Sequence, residues 1–456
     1  MRRRVRPPVP QRTFAPVTKR LLTILGVAFA YAAIVGNTVG AGILRAPGDI
    51  AAHLPTVTLF FAAWIAGALY ALAGANALSE LATMMPESGG QYHFARAALG
   101  PYAGFVVGWN DWVSTTGSTT AVALVLAESV AVLVPSLAGR ESWIAAVVLM
   151  AATAALWRGV RGAAQVQYVA TMLKALVFVA LIVAALAFAV SHGLPSRAAV
   201  PATRAHGLAL FAAFMVAMQG VIYAYDGWTG ALYFSEEIRD PGRAIPRATF
   251  GGLLSVVVLY LLISVAFIAV IPIAKLAGDP LAAGSVARAV FGARGDIIVR
   301  LVIVCALPST ITAIMQMAPR VLFAMARDGL SPAWATSVNA GGTPTAAMLA
   351  TLVVALLFLF TGTADAVIAV VSFFFVATYS LSFLSLFILR RREPARARPY
   401  RARGHPWTTA AAFIGSIAFL AGTVYGDPRN GLIAAGLVAI SYPVYRVFAA
   451  RRSPRA

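Results

Sequence analysis

Long apolar runs recur along the whole chain, each near the roughly 20 residues that a helix needs to cross a bilayer. Twelve can be marked, over 21–54, 57–84, 102–134, 142–157, 163–191, 208–235, 250–273, 297–325, 345–361, 365–390, 409–425 and 429–450. Short polar stretches separate them, and no alternating strand pattern of a membrane barrel is found. The pattern predicts an all-α polytopic membrane protein of about twelve helices. An even number of spans places both termini on one side.

Two of the runs are interrupted. The first contains Gly36-Asn37-Thr38-Val39-Gly40-Ala41-Gly42-Ile43-Leu44-Arg45-Ala46-Pro47-Gly48. Its glycines weaken a helix, and Pro47 removes a backbone donor. Asn37 and Arg45 put polar groups at membrane depth, where they are costly. One reading is a kinked helix packed through small residues. The other is a helix broken to leave backbone groups around a ligand. The sixth run favours the second reading, because it carries a comparable break at Gln219-Gly220-Val221-Ile222-Tyr223-Ala224-Tyr225-Asp226-Gly227-Trp228-Thr229-Gly230. Five is odd, so a unit that begins five spans later begins from the opposite face. Two such units form a five-plus-five inverted repeat with broken helices one and six. The expected divisions are a basic tail at 1–20, a first repeat at 21–191, a second at 208–390, two further spans at 409–450 and a tail at 451–456.

A break exposes N–H groups at the start of one half-helix and carbonyls at the end of the other. In span one the free donors are expected around Gly40, Ala41, Gly42 and Ile43, which suits a carboxylate. In span six the carbonyls of Tyr223, Ala224 and Asp226, next to Gly227, are expected to be free and to suit an ammonium. Donors facing acceptors complement a zwitterion, the shape of a free α-amino acid. Asn37 and the adjacent Thr38 join this candidate site, Asn37 by orienting loose backbone or touching the ligand.

Charge changes the picture little. The net charge is +20, with 11% charged and 60% hydrophobic residues. The basic residues lie in tails and short loops rather than on one soluble face, which argues against nucleic acid. Most of them fall on the side of the termini, which makes that side cytoplasmic by the positive-inside rule. The densest group runs from Arg390 to Arg403; it fixes its loop inside and could also meet anionic lipid. The run after the basic N-terminus is too long for a signal peptide and continues into the break, so it is expected to be retained. A multi-pass protein of the cell's plasma membrane is expected. The single cysteine, Cys305, builds no disulfide within the chain and no metal site.

Five stretches carry a family resemblance. Gly40-Ala41-Gly42-Ile43 with Pro47 resembles a GxGI break, and Tyr223-Ala224-Tyr225-Asp226-Gly227-Trp228 resembles FAYxGW. Pro86-Glu87-Ser88-Gly89-Gly90-Gln91-Tyr92 resembles PxSGGxY. Glu236 to Pro241 with Ile245-Pro246-Arg247-Ala248 resembles an E-x-x-x-P…IPRA loop, and Ala326-Arg327-Asp328-Gly329 resembles ARDG. In this order they resemble the amino acid–polyamine–organocation superfamily, in particular bacterial permeases related to the L-type amino acid transporters. The resemblance implies alternating access, with the first break holding the substrate carboxylate and the second its amine. It also implies that Tyr223 is an aromatic gate. Tyr stands where the L-type relatives usually have Phe, so its hydroxyl needs a partner or water.

Lys174 lies mid-span, about ten residues from the basic 158–161 loop, too far for easy snorkelling. In relatives a lysine here takes the place of a sodium ion. Its ammonium is expected to bridge the first break to span eight near Ser309, Thr310 or Thr312, and could carry a coupled proton. Asp226 is read first as an N-cap of the second half of span six, and second as a carboxylate for a cationic side chain. Arg45 calls for a carboxylate partner or a watery vestibule. Asp111 and Glu128 are expected as buried polar partners, and Trp64, Trp109, Trp112 and Trp143 as packing or interface anchors.

The function expected is secondary active transport of amino acids, neutral ones first, by proton symport or exchange. Basic amino acids or polyamines are the alternative substrates. A membrane sensor that binds without transporting is the alternative of a different class. An enzyme is not expected, since the five histidines are scattered at loops and ends. Neither a channel filter nor a phosphate-binding loop is present. No cofactor or metal is called for.

Overall fold

The computed structural model describes residues 25–87, 89–157, 160–195, 206–339, 341–360 and 363–450; side chains at 160–168, 170 and 450 are not described. The expected tails, 1–20 and 451–456, and part of the basic 158–161 loop lie outside these. The first long apolar run forms two helices, α1 (Val27–Thr38) and α2 (Ala41–His53). They are followed by α3 (Val57–Met84), α4 (Tyr92–Leu99), α5 (Pro101–Leu133), α6 (Glu141–Leu156) and α7 (Val160–His192). The chain continues through α8 (Leu208–Tyr225), α9 (Pro241–Val270), α10 (Ile273–Leu276), α11 (Ala282–Phe291) and α12 (Ala293–Arg327). It closes with α13 (Thr345–Leu359), α14 (Ala364–Arg392), α15 (Trp407–Gly426) and α16 (Pro428–Ala450).

Among the described residues, nine helices are long and apolar enough to cross a membrane, and ten if α1 and α2, bent by 40°, form one span. The chain is an all-α, multi-pass membrane protein. The apolar α6 and α13, of 16 and 15 residues, stand where spans four and nine were expected. Three helices sit outside the expected runs. α4 fills the loop after α3, and α10 and α11 cap the bundle between α9 and α12.

Local chemistry sets several starts. Thr56 and Thr363 cap α3 and α14, each hydroxyl accepting from a backbone N–H at 3.3 Å. α5 and α9 each open on proline, whose missing donor costs nothing at a first helical position. That is why α9 begins at Pro241 rather than near 250, taking the Ile245-Pro246 loop into its first turns.

α5 is the central post. It packs along α12 and α14 and also meets α4, α6, α13 and α16. α1 lies against α9 and α7, and α2 against α8. The two ends of the bundle differ. At the end where Leu25 lies, the chain is tied shut. Leu25 N–H donates to Glu237 O at 2.9 Å and Arg239 N–H to Leu25 O at 2.8 Å. Phe29 meets Phe234 edge-on at 5.3 Å. Behind them Arg320 pairs with Glu237 at 2.8 Å, both buried, and its guanidinium lies 4.5 Å over the Phe234 ring.

The basic loop after α14 is held at the same end. Glu80 of α3 is fully buried and receives Arg390 Nε at 2.9 Å, Arg398 Nε at 3.0 Å and the Ala402 N–H at 2.7 Å. With Arg390 Nη2 as well, at 2.5 Å, four donors on one buried carboxylate make it a satisfied anchor. Glu80→Gln removes the charge and leaves two arginines without their partner. The expected loss is about 3–5 kcal/mol, read as a lower melting temperature of the detergent-purified protein.

Candidate functional site

The break in the first span covers Val39 and Gly40, between the end of α1 and the start of α2. Stranded backbone groups at membrane depth must find partners or face a cavity. Three of the carbonyls find partners. Lys174 of α7 is buried and donates to Gly36 O at 3.0 Å, Val39 O at 3.4 Å and Thr310 Oγ1 at 2.7 Å. Tyr260 of α9 donates to Thr38 O at 2.6 Å. Thr38 itself turns back onto Ile34 O at 2.7 Å, and Asn37 Nδ2 points to Met317 Sδ at 3.7 Å. Of the three hydroxyls considered for Lys174, only Thr310 bonds to it. Ser309 donates to Ala306 O at 2.7 Å and Thr312 to Ser309 O at 3.0 Å.

The donors of the break stay open. The N–H groups of Gly40, Ala41, Gly42 and Ile43 bond to no described residue. The second break faces them. α8 ends at Tyr225, with Asp226 as its C-cap in extended conformation. The carbonyls of Tyr223, Ala224 and Asp226 accept no hydrogen bond from any described residue. Gly227 takes φ +116°, a conformation that favours glycine. A Cβ there would lie 2.6 Å from Thr38 Oγ1, and one on Gly42 would lie 2.6 Å from Ala224 Cα. The two breaks therefore touch through their glycines.

Two expectations need correction here. Span six has no helical second half for Asp226 to cap. Beyond Gly227 the chain makes turns and a five-residue 3-10 helix, Gly230–Phe234. Asp226 instead accepts a hydrogen bond from the Tyr379 hydroxyl of α14. Gly227 leaves the helical path at the point where an N-cap reading assumed a new helix. Glu128 is not buried either. Its side chain is 42% exposed and pairs with Arg45 at 2.5 Å.

A cavity of about 470 Å³ leads to the breaks from the end opposite Leu25. Its floor is Gly42, Gly220 and Tyr223, and its walls include Arg45, Asp49, Gln219, Asp365 and Asn430. This volume suits a small molecule. Arg45 stands in the wall, joining Glu128 of α5 to Asp365 of α14, whose oxygens lie at 2.9 and 3.1 Å. Its Nε has no hydrogen-bond partner. Tyr223 is buried at the floor. Ser118 lies beside its hydroxyl, which makes no hydrogen bond of normal geometry. Trp64 is a buried packing residue, edge-on to Tyr225 and Tyr260, whereas Trp143 is 67% exposed.

The cavity ends at Gly42 and Tyr223, where open N–H groups face open carbonyls, an arrangement complementary to a small zwitterion. The sequence model of the amino acid permease family matches residues 25–445. The chain belongs to that family. It is an amino acid transporter. It is 26% identical over 433 residues to the serine/threonine exchanger SteT of Bacillus subtilis, covering 92% of this chain and 95% of that protein. It is 27% identical over 387 residues to the human large neutral amino acids transporter small subunit 2, covering 83% and 71%. The mouse b(0,+)-type amino acid transporter 1 is 28% identical over 260 residues, covering 56% of this permease and 52% of that protein.

Sequence reasoning missed several residues of this permease. Tyr260 gave no signal, being one tyrosine in an apolar run. Arg320 did give one, as a charge deep in the run that forms α12, next to Pro319. Gly227→Ala meets both a disfavoured backbone conformation and the Thr38 hydroxyl. It should cut the initial rate of amino acid uptake roughly tenfold or more, equivalent to at least about 1.4 kcal/mol. Uptake by the purified variant in proteoliposomes measures it.

Proposed function

We propose that this permease moves neutral amino acids across the plasma membrane by alternating access, through a five-plus-five inverted repeat, as an exchanger or a proton symporter. The observation that carries the reading is the pair of breaks. The unbonded N–H groups of Gly40 to Ile43 receive the substrate carboxylate, favoured by the positive end of α2. The unbonded carbonyls of Tyr223, Ala224 and Asp226 receive its ammonium. Gly42 and Gly220 lie beside Tyr223 on the floor of the cavity, and Arg45 in its wall is already held by two carboxylates. That arrangement supports a neutral side chain. The names of the relatives, a serine/threonine exchanger and a large neutral amino acids transporter subunit, point the same way.

With the basic end placed in the cytoplasm by its arginines, the structure is an outward-facing state. The cytoplasmic seal is the Leu25–Ile238 bridge, the Phe29–Phe234 contact and the Arg320–Glu237 pair. Tyr223 is the gate at the floor of the vestibule. Lys174 holds the first break to α12 in place of a sodium ion.

Two experiments test this. Proteoliposomes loaded with unlabelled substrate should take up labelled neutral amino acids in exchange, without sodium. Uptake confined to basic amino acids or diamines, or a requirement for sodium, would overturn the proposal. Lys174→Ala leaves two carbonyls and Thr310 without their donor, at about 1–3 kcal/mol for each buried group left unmade. Exchange should then fall by tenfold or more, about 1.4 kcal/mol per factor of ten. Wild-type rates in Lys174→Ala at every pH and in both directions would remove it from the coupling machinery.

A further inference from the structure

Asp111 lies on α5, the central post, and is 2% exposed. Its Oδ1 accepts from the Tyr233 hydroxyl at 2.5 Å and the Thr115 hydroxyl at 3.4 Å. Its Oδ2 is buried and has no hydrogen-bond partner. Ideal Cβ placement on Gly90 falls 3.1 Å from this oxygen, so backbone closes over it. Asp226 is within electrostatic reach of both Asp111 and Tyr233, and is held by Tyr379. Two carboxylates and two tyrosines thus form one cluster between the second break and the cytoplasmic seal.

A buried carboxylate oxygen without a donor needs a cation or a proton. The charged groups of the helices packed on α5 are engaged elsewhere. From α4, Arg96 pairs with Asp328 and His93 lies 3.1 Å from Glu87, while Tyr92 donates to Asp328. From α12, Arg320 holds Glu237, Arg327 holds Glu236 and Arg300 holds Asp296, while Arg294 is exposed. From α14, Arg390 holds Glu80, Arg392 bonds Ala98 O, Arg391 is exposed, Asp365 meets Arg45 of α2, and Tyr379 serves Asp226. Glu141 of α6 accepts from Gly139 N, and Arg446 of α16 bonds Tyr442. Asp49 and His53 of α2 face each other at 3.7 Å near the vestibule. Arg429 of α16 lines the vestibule, which Asp111 does not reach, and among the described residues no cation is paired with Asp111. Neither Asp111 nor Tyr233 lines the vestibule cavity. An ammonium side chain would need such space, and a proton does not.

We infer that Asp111, with Asp226 at the break, is the proton-binding site of the transport cycle. The proton sits on Asp111 Oδ2. It arrives through Asp226, three residues beyond Tyr223 of the vestibule floor, and leaves to the cytoplasm when the segment carrying Tyr233 and Phe234 parts from α1. Nothing is consumed: the proton is bound on one side and released on the other with the substrate. This rests on the transport reading above and decides between its two forms, in favour of symport.

The test uses the full-length protein in proteoliposomes with labelled neutral amino acid and a trapped pH dye. Under an inward proton gradient of one pH unit, the wild type should concentrate substrate up to about tenfold, the equivalent of one proton per substrate, with acidification inside. Asp111→Asn should still exchange substrate, yet only equilibrate it under the gradient and leave the dye silent. Exchange without gradient-driven accumulation in the wild type would overturn the inference while leaving the transport reading intact. Undiminished accumulation by Asp111→Asn would also overturn it, as would a loss confined to basic substrates. If Asp111→Asn supports no exchange, Tyr233→Phe is read instead, since it keeps both carboxylates. The pH of half-maximal accumulation should then move by about one unit, a tenfold change in proton affinity; an unmoved profile overturns the inference.

Discussion

One ammonium carries the central constraint of this fold. A helix interrupted inside an apolar bundle strands carbonyls that no water can reach, and each must be satisfied or lost as stability. Gly36 and Val39 both receive Lys174, and Thr310 ties the same nitrogen to α12. Tyr260 satisfies Thr38 from the other side. With three acceptors of the break spoken for, its open groups are mainly donors. The first break is thereby left with one electrostatic sign, and the second break with the opposite one. The polarity of the site follows from which groups the scaffold has already satisfied.

The two ends of the bundle are built from different kinds of contact. The end near Leu25 combines main-chain bonds, an edge-on ring pair and a buried arginine–glutamate pair under a ring. The other end relies on Arg45 with Asp365, whose side chain is 71% exposed. Exposed pairs contribute little, about 0–1 kcal/mol, whereas breaking a buried pair by removing one partner costs about 3–5 kcal/mol. Opening the tight end thus asks for more free energy than rearranging the loose one. Ligand binding and charge neutralisation in the middle are the sources available to supply it.

Much of this was legible in the sequence because membrane helices are long and their interruptions conspicuous. α3 runs over Val57–Met84, the run marked from hydropathy, and the glycine clusters pointed to both breaks. The break at Val39–Gly40 and the approach of Lys174 to Thr310 depend on residues whose oddity at membrane depth can be seen one at a time. What was not legible depends on pairs. Arg45 could not be placed until Glu128 and Asp365 came beside it from α5 and α14. Asp226 looked like a cap because aspartate commonly is one, but the positive φ of Gly227 ends the helix there and tertiary contact hands the carboxylate to Tyr379. α4 and α11 are too short to register as spans and too amphipathic to read as loops.

The tie between Leu25 and the Glu237–Arg239 segment is made wholly of main-chain atoms. Its strength is therefore indifferent to which side chains occupy those three positions. Substitution scanning would report the buried pair of Glu237 with Arg320 and the core contact of Leu25, and would leave the main-chain tie itself unmarked. Proline is the exception, because it alone deletes the donor. A fastening of this kind is invisible to genetics by ordinary replacement, so its part in holding one face shut has to be read from backbone chemistry, by amide exchange at Leu25 and Arg239.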